Sequence, residues 1–168
     1  MAVLIRPMQL QDVPAVFAVQ ARAYVPAMVE PVELIAQRWH VAPDTAWVAV
    51  AEGSVCAYLM AYPSRYGKIA PLGQAFEPAQ QADALYLHDL AVDAAMAGQG
   101  IGVQLVQQAW DYMSQTGMGF SCLVSVQSTK TFWERLGYSE LVTSSPDQLA
   151  SLQSYTGPAY YLVRQFPG

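Results

Sequence analysis

Residues 85–113 read LYLHDLAVDAAMAGQGIGVQLVQQAWDYM, and the fold turns on how this stretch is read. An apolar strand, Leu85 to Val92, leads through a connector, Asp93 to Ala97, into a run with glycine at every second place, Gly98, Gly100 and Gly102, and then into an amphipathic helix. Glycines let the backbone curl with its N–H groups turned inward, and the following helix adds unpaired N–H donors and the positive end of its dipole. Such a cup holds an anion, most often a phosphate. A kinase-type phosphate loop needs Gly-Lys-Ser/Thr at the end of the run, whereas Gly100-Ile101-Gly102 has no lysine near it. A dinucleotide fold needs GxGxxG straight after a first strand and an acid about 20 residues further on. Glycines at mid-chain with GxGxG spacing rank that reading well behind.

Working outward, the helix after the cup carries Leu105, Ala109 and Tyr112 on one stripe and Val106, Trp110 and Met113 on the next, so one broad face is buried; Gly117 and Gly119 end it. Phe120 to Val126 reads as a strand, and Ser128 as the cap of a short helix, TKTFWERLG, closed by Gly137. Strand, helix and strand with tight connections imply a parallel pair. Upstream the geometry differs. Thr45 to Ala51 and Val55 to Tyr62 alternate across a Glu52-Gly53 turn and form an antiparallel hairpin. The sheet is therefore mixed.

Val3 to Met8 makes a first strand, and Asp12 caps a helix with Val13, Val16, Phe17 and Tyr24 at helical spacing, Pro14 being tolerated in its first turn. A loop from Ala23 to Pro31 precedes a second helix with Val32, Ile35 and Trp39 on one face. Pro63 to Asp83 is a long loop, and loops of that length in a compact domain carry function or move. Tyr138 to Val142 and Ala159 to Phe166 are the last two strands, separated by a polar loop. There is no internal repeat and no linker, so residues 1–168 make one domain.

Composition narrows the class. With 54% hydrophobic and only 12% charged residues, the chain is a compact globule with enough apolar surface to fold unaided. No apolar run is long enough to cross a bilayer and MAVLIRPMQLQD lacks a signal-peptide core, so a cytoplasmic protein without membrane partners is expected. Cys56 and Cys122 lie within apolar strands without Cys or His at metal-ligand spacing, which makes them buried free thiols and leaves no metal site. A net charge of −5 with eight scattered Lys and Arg disfavours nucleic acid and is weakly compatible with a cationic substrate. The apolar fraction is compatible with a homodimer.

The segment LAVDAAMAGQGIGVQLV resembles the central motif of the GNAT superfamily of acyl-CoA N-acyltransferases, LxVxPxxR/QGxGxG/A, over about 25 positions, and TKTFWERLGY resembles that family's C-terminal motif, FYxxxGF. The resemblance implies an α/β (α+β) fold: a mixed, mostly antiparallel central sheet with a splayed parallel pair, flanked by helices. It implies acetyl-CoA as acyl donor, held by Leu90, Ala91, Val92, Ala97, Gly98, Gln99, Gly100, Ile101, Gly102 and Val103, with Ser128 and Trp133 beside the coenzyme. Two positions depart from the pattern. Ala97 stands where the family has Arg or Gln, which removes a side-chain contact and predicts weaker cofactor binding. Trp133 stands where many relatives have a tyrosine that protonates the departing thiolate, and an indole N–H is no usable acid.

Acyl transfer to an amine needs a base for the ammonium, an N–H donor at the developing oxyanion and a proton for the thiolate. In GNAT proteins a backbone amide of the splayed central strand serves the second need, around Leu90 to Val92 here. For the first, the chain offers His88 and Asp89. The segment YLHDLAV is similar to YLEDxxV of polyamine acetyltransferases, where the acid at the His88 position is tied to deprotonation and the Asp to amine recognition. On a regular strand the two side chains point to opposite faces, so at most one enters the cleft unless a bulge intervenes. For the third, Tyr155 in the SYTGP turn is the first choice; Tyr160 and Tyr161 lie near it in sequence, and Tyr138 is read as packing. The two amino-terminal helices and the loop from Pro63 to Asp83 are expected to wall the acceptor site. The chain is thus read as an N-acetyltransferase acting on a small, polyamine-like or peptide amine, with a non-catalytic acyl-CoA sensor as the alternative.

Overall fold

The computed structural model describes residues 2–167. Seven strands, β1 (Val3–Pro7), β2 (Ala46–Ala51), β3 (Ser54–Ser64), β4 (Ala84–Val92), β5 (Phe120–Ser125), β6 (Ser139–Glu140) and β7 (Tyr160–Gln165), form one sheet in the order β1-β2-β3-β4-β5-β7-β6. Every neighbouring pair is antiparallel except β4 and β5. Their parallel ladder is short: it runs from Ala84↔Phe120 to Tyr86↔Cys122 and stops, although both strands continue. From Leu87 onward β4 pairs only with β3, and the two central strands part.

Each face of the sheet buries a core. One face packs Trp47, Leu59, Leu85 and Leu87 under α3 (Ile101–Thr116) and α4 (Lys130–Arg135), with Leu105, Val106 and Ala109 of α3 fully buried as the two-stripe pattern requires. The other packs Val48, Tyr58, Met60 and Tyr86 under α1 (Val13–Ala23) and α2 (Val32–Val41). Gly117, left-handed at φ +76°, ends α3 with its N–H on the Met113 carbonyl. Cys56 and Cys122 are buried free thiols, and burial pushes the Cys122 thiol up to about 12. Among the described residues no helix is long and apolar enough to cross a membrane.

Three local readings change. Asp12 does not cap α1 with its side chain: its carboxylate accepts from both terminal nitrogens of Arg6, at 2.7 and 2.9 Å, and from the Gln9 amide at 2.7 Å, bracing the 3-10 turn that precedes the helix. Thr129, not Ser128, is the N-cap of α4. The tail loop contains a helix, α5 (Pro146–Gln153), and the strand before it shrinks to Ser139–Glu140. Helix α5 buries no residue, so apolar periodicity gives no signal there; Ser145 before Pro146 and Asp147 was the usable mark of its start.

The Arg6 hydrogen bonds hold the Asp12 carboxyl below its ordinary range, against burial and with help from the Gln9 amide. A depressed native value contributes stability above the unfolded value of roughly 3.9 that is lost as pH falls through the native one. Asp12→Asn is therefore expected to lower the Tm at pH 7, with the gap to the wild type closing below about pH 4. A gap constant across that range in thermal melts contradicts the assignment.

Candidate active site

Where β4 and β5 separate, a cavity of about 490 Å³ runs from the glycine run, past Leu90 to Val92, to Glu30, His88, Asp89 and Tyr155. Gly98 and Gly100 both adopt left-handed φ, +79° and +76°, with open space where a Cβ would stand, a backbone that lets main-chain amides turn inward. Gly102 is different. It lies in the first turn of α3, and a Cβ there would already touch Phe132 at 3.6 Å, Val92 at 3.7 Å and Leu90 at 3.8 Å, so the missing side chain keeps the passage open. Ala97, Gly98, Gly100, Ile101 and Gly102 line the cavity; Gln99 and Val103 do not, and both are exposed. Ser128, exposed and left-handed at φ 63°, also lies off the lining, while its neighbours Gln127 and Thr129 are on it. Trp133 is buried edge-on between Phe132 and Tyr138 and contributes to the wall.

The open edge of β4 has a polar marker. The Tyr24 hydroxyl, at the end of α1, donates to the Leu90 carbonyl at 3.0 Å, so that carbonyl faces the gap rather than β3. In an extended strand a residue's N–H and C=O leave by the same edge, which turns the Leu90 amide toward the gap as well. Gln127 spans the same end of the cleft: its side-chain oxygen accepts from the Val25 amide at 2.8 Å.

His88 and Asp89 both reach the cavity, and the reason is a bulge. Met60 pairs with Asp89 and Ala61 with Leu87, leaving His88 as the extra residue on β4. Both side chains thereby turn to the face under α1 and α2. The Asp89 carboxylate accepts from the Tyr58 hydroxyl at 2.5 Å, and burial raises its carboxyl above the ordinary range despite that bond and the neighbouring imidazole. The His88 Nε2 lies 3.1 Å from Glu30 Oε1. Glu30 also takes both terminal nitrogens of Arg38 at 2.6 Å and the Gly73 amide at 3.0 Å. Burial alone would raise its carboxyl, but the hydrogen bonds from His88 and Arg38 prevail and hold it far below the carboxylate range.

Residues 65–83 form an ordered wall although they contain no helix or strand, because side chains satisfy their backbone. Arg38 donates to the Gln74 carbonyl, Gln148 accepts from the Ile69 amide, Ser154 from the Leu72 amide, and the Tyr155 hydroxyl donates to the Ala70 carbonyl at 2.8 Å. Leu72 of this segment faces the cavity. Tyr155 lines the cavity, and burial pushes its hydroxyl above the ordinary tyrosine range, so it keeps its proton near neutrality. Tyr161 is buried in the core with its hydroxyl on the Gly67 amide, Tyr160 stacks under Lys130, and Tyr138 is packing, its hydroxyl bonded to Ser121 and Trp110.

Arg38→Ala removes the principal counter-charge of a carboxylate whose side chain is 6% exposed. It is expected to cost about 3–5 kcal/mol in chemical denaturation, because the lone charge stays buried. A cost under about 1 kcal/mol, as for an exposed pair, contradicts this reading.

The chain matches the model of the acetyltransferase (GNAT) family over residues 13–138, about three quarters of its length. The chain belongs to the GNAT acetyltransferase family. Its fold repeats in solved structures. Ard1 from Thermoplasma volcanium superposes with a TM-score of 0.71 at 17% identity, with 100% of both chains covered. The ribosomal-protein-S18-alanine N-acetyltransferase from Escherichia coli gives 0.69 at 17% identity, over 99% of this chain and 96% of that one. A GNAT family acetyltransferase from Brucella melitensis, in complex with acetyl-CoA, gives 0.65 at 19% identity, over 99% and 90%. No curated protein matches the sequence.

Within this GNAT chain the residues that sequence reasoning missed are Glu30, Arg38, Tyr24 and Tyr58. Arg38 carried a usable signal: it sits three residues after Ile35 on the apolar stripe of α2, where a charge must be paired to be buried. Glu30, a lone acid between Val29 and Pro31, is its partner across the turn.

Proposed function

We propose that the protein transfers the acetyl group of acetyl-CoA to a primary amine, of a small molecule or a peptide, by direct attack. The observation that carries this is the continuity of one cleft from the left-handed glycine cup, through the gap edged by Leu90, to His88 and Asp89. The donor fits it. The cup offers amides to a diphosphate, Gly102 leaves room beside Phe132 for a thin pantetheine arm, and Leu90 to Val92 supply an unpaired strand edge along which such an arm can bond. When bound, the coenzyme supplies an activated acetyl thioester.

The chain's own residues do the rest. The Leu90 amide is the donor for the oxyanion, a backbone contribution that needs no particular side chain. His88 accepts the proton of the incoming ammonium, directly or through water, and Asp89 stands beside it for the amine. Two hydroxyls that stay protonated border the cleft, Tyr24 at the parted strand and Tyr155 on the acceptor wall, and they replace the acid that Trp133 cannot be. Leu72 and residues 65–83 bound the amine.

The test is release of free thiol from acetyl-CoA against a panel of monoamines, polyamines and peptides with free amino termini. Turnover on at least one is expected. Saturable binding of coenzyme with no turnover on any amine contradicts the enzyme and favours an acyl-CoA sensor.

A further inference from the structure

We propose that Glu30 is a positioning residue, which holds His88 in the tautomer protonated at Nε2 and leaves Nδ1 as its basic nitrogen. The inference rests on the reading of His88 as the base and adds which atom acts and what sets it. Glu30 receives donors on every side: Arg38 through two nitrogens, the Gly73 amide, and His88 at 3.1 Å. An ionised carboxylate accepts only, so the imidazole nitrogen facing it must carry the hydrogen. The proton on a neutral ring is then spent, and Nδ1 keeps a bare lone pair.

That lone pair is without a partner. Nδ1 of His88 is one of two buried side-chain polar atoms, among the described residues, that have no hydrogen-bond partner. The large majority of buried side-chain polar atoms are hydrogen-bonded, and the carboxylate and guanidinium groups of this network all are. The side chain of His88 is 4% exposed, and the residue lines both the coenzyme cleft and a second cavity of about 260 Å³ between residues 68–77 and α5. His88 borders both cavities, and a buried unsatisfied acceptor on such a residue calls for a donor that arrives with a ligand, directly or through water; an ammonium is such a donor.

The electrostatic surroundings leave Glu30 as the group that decides the tautomer. Asp89, on the same strand, is engaged by Tyr58. The rings of Tyr86 and Phe76 pack on the imidazole without a hydrogen bond to it, and the Tyr155 hydroxyl donates its hydrogen bond to the Ala70 carbonyl. Across the second cavity Lys68 pairs with Glu77 at 3.8 Å, and Asp147 lines the same space. None of these bonds either ring nitrogen. Because Arg38 and Gly73 anchor Glu30 to residues 73–74, the wall of the acceptor site and the tautomer of the base are set by one carboxylate.

Glu30→Gln is the decisive variant. An amide has one oxygen, which Arg38 and Gly73 claim, and its NH₂ then faces His88, so the ring must accept at Nε2 and carry its hydrogen on Nδ1. Long-range proton–nitrogen NMR of the imidazoles, with His40 as the internal reference, is expected to report the Nε2-protonated form in the wild type and the Nδ1-protonated form in the variant. With the best amine of the panel, kcat is expected to fall about 10²-fold while coenzyme A affinity holds. An Nδ1-protonated wild type overturns the proposal without any variant. If Glu30→Gln keeps full kcat while His88→Ala loses it, the proposal falls and the base reading stands; if His88→Ala is also fully active, the base reading falls with it.

Discussion

Alanine in place of His88 is expected to lower kcat about 10³-fold and to leave coenzyme A affinity unchanged. The two quantities separate because the imidazole is bonded to Glu30, 3.1 Å away at one end of the cleft, whereas the coenzyme contacts we propose are the backbone of the cup and of Leu90 to Val92. Any general base has to be reached by the ammonium, directly or through water, and among the described residues at that end only His88 combines a basic nitrogen with no partner. Glu30 is saturated by donors, and Asp89 is engaged by Tyr58. The measurement is steady-state kinetics across pH with calorimetric coenzyme affinity in parallel. A variant with unchanged kcat and an unchanged pH–rate profile removes His88 from the mechanism.

At the other end of the cleft, Gly102→Leu is expected to weaken coenzyme A binding by about 10²-fold, the equivalent of roughly 3 kcal/mol. A Cβ at this position already reaches Phe132, Val92 and Leu90 at ordinary contact distance, so the further carbons of leucine have to enter the passage between α4 and the open edge of β4. Gly102→Ala is the control. At 3.6 Å its methyl fits, and its affinity should stay near the wild type. Equal affinity in both variants means that the coenzyme does not thread this gap.

The succession of strands along the chain and the mixed character of the sheet were legible because each element left its own period. The alternation of Thr45 to Ala51 across Glu52-Gly53 gave the hairpin, and the tight run from β4 through α3 to β5 gave the parallel pair. The cup was legible for the same reason, since glycine at alternate places answers to a backbone requirement that structure then meets at Gly98 and Gly100. Long-range events left no such trace. The bulge at His88 depends on how β3 and β4 register across residues 54–92, and it reverses the rule that neighbours on a strand face opposite ways. The pairing of Glu30 with Arg38 and the bond from Tyr24 to Leu90 join separate segments, so a linear pattern cannot announce them. Helix α5 was missed because an exposed helix owes nothing to apolar spacing.

The most direct test of the central claim is isothermal titration of coenzyme A into the full chain. A backbone cup with a gap beside it predicts a saturable heat with one site per chain. No heat at millimolar coenzyme A, from a protein shown to be folded by its thermal transition, contradicts the account.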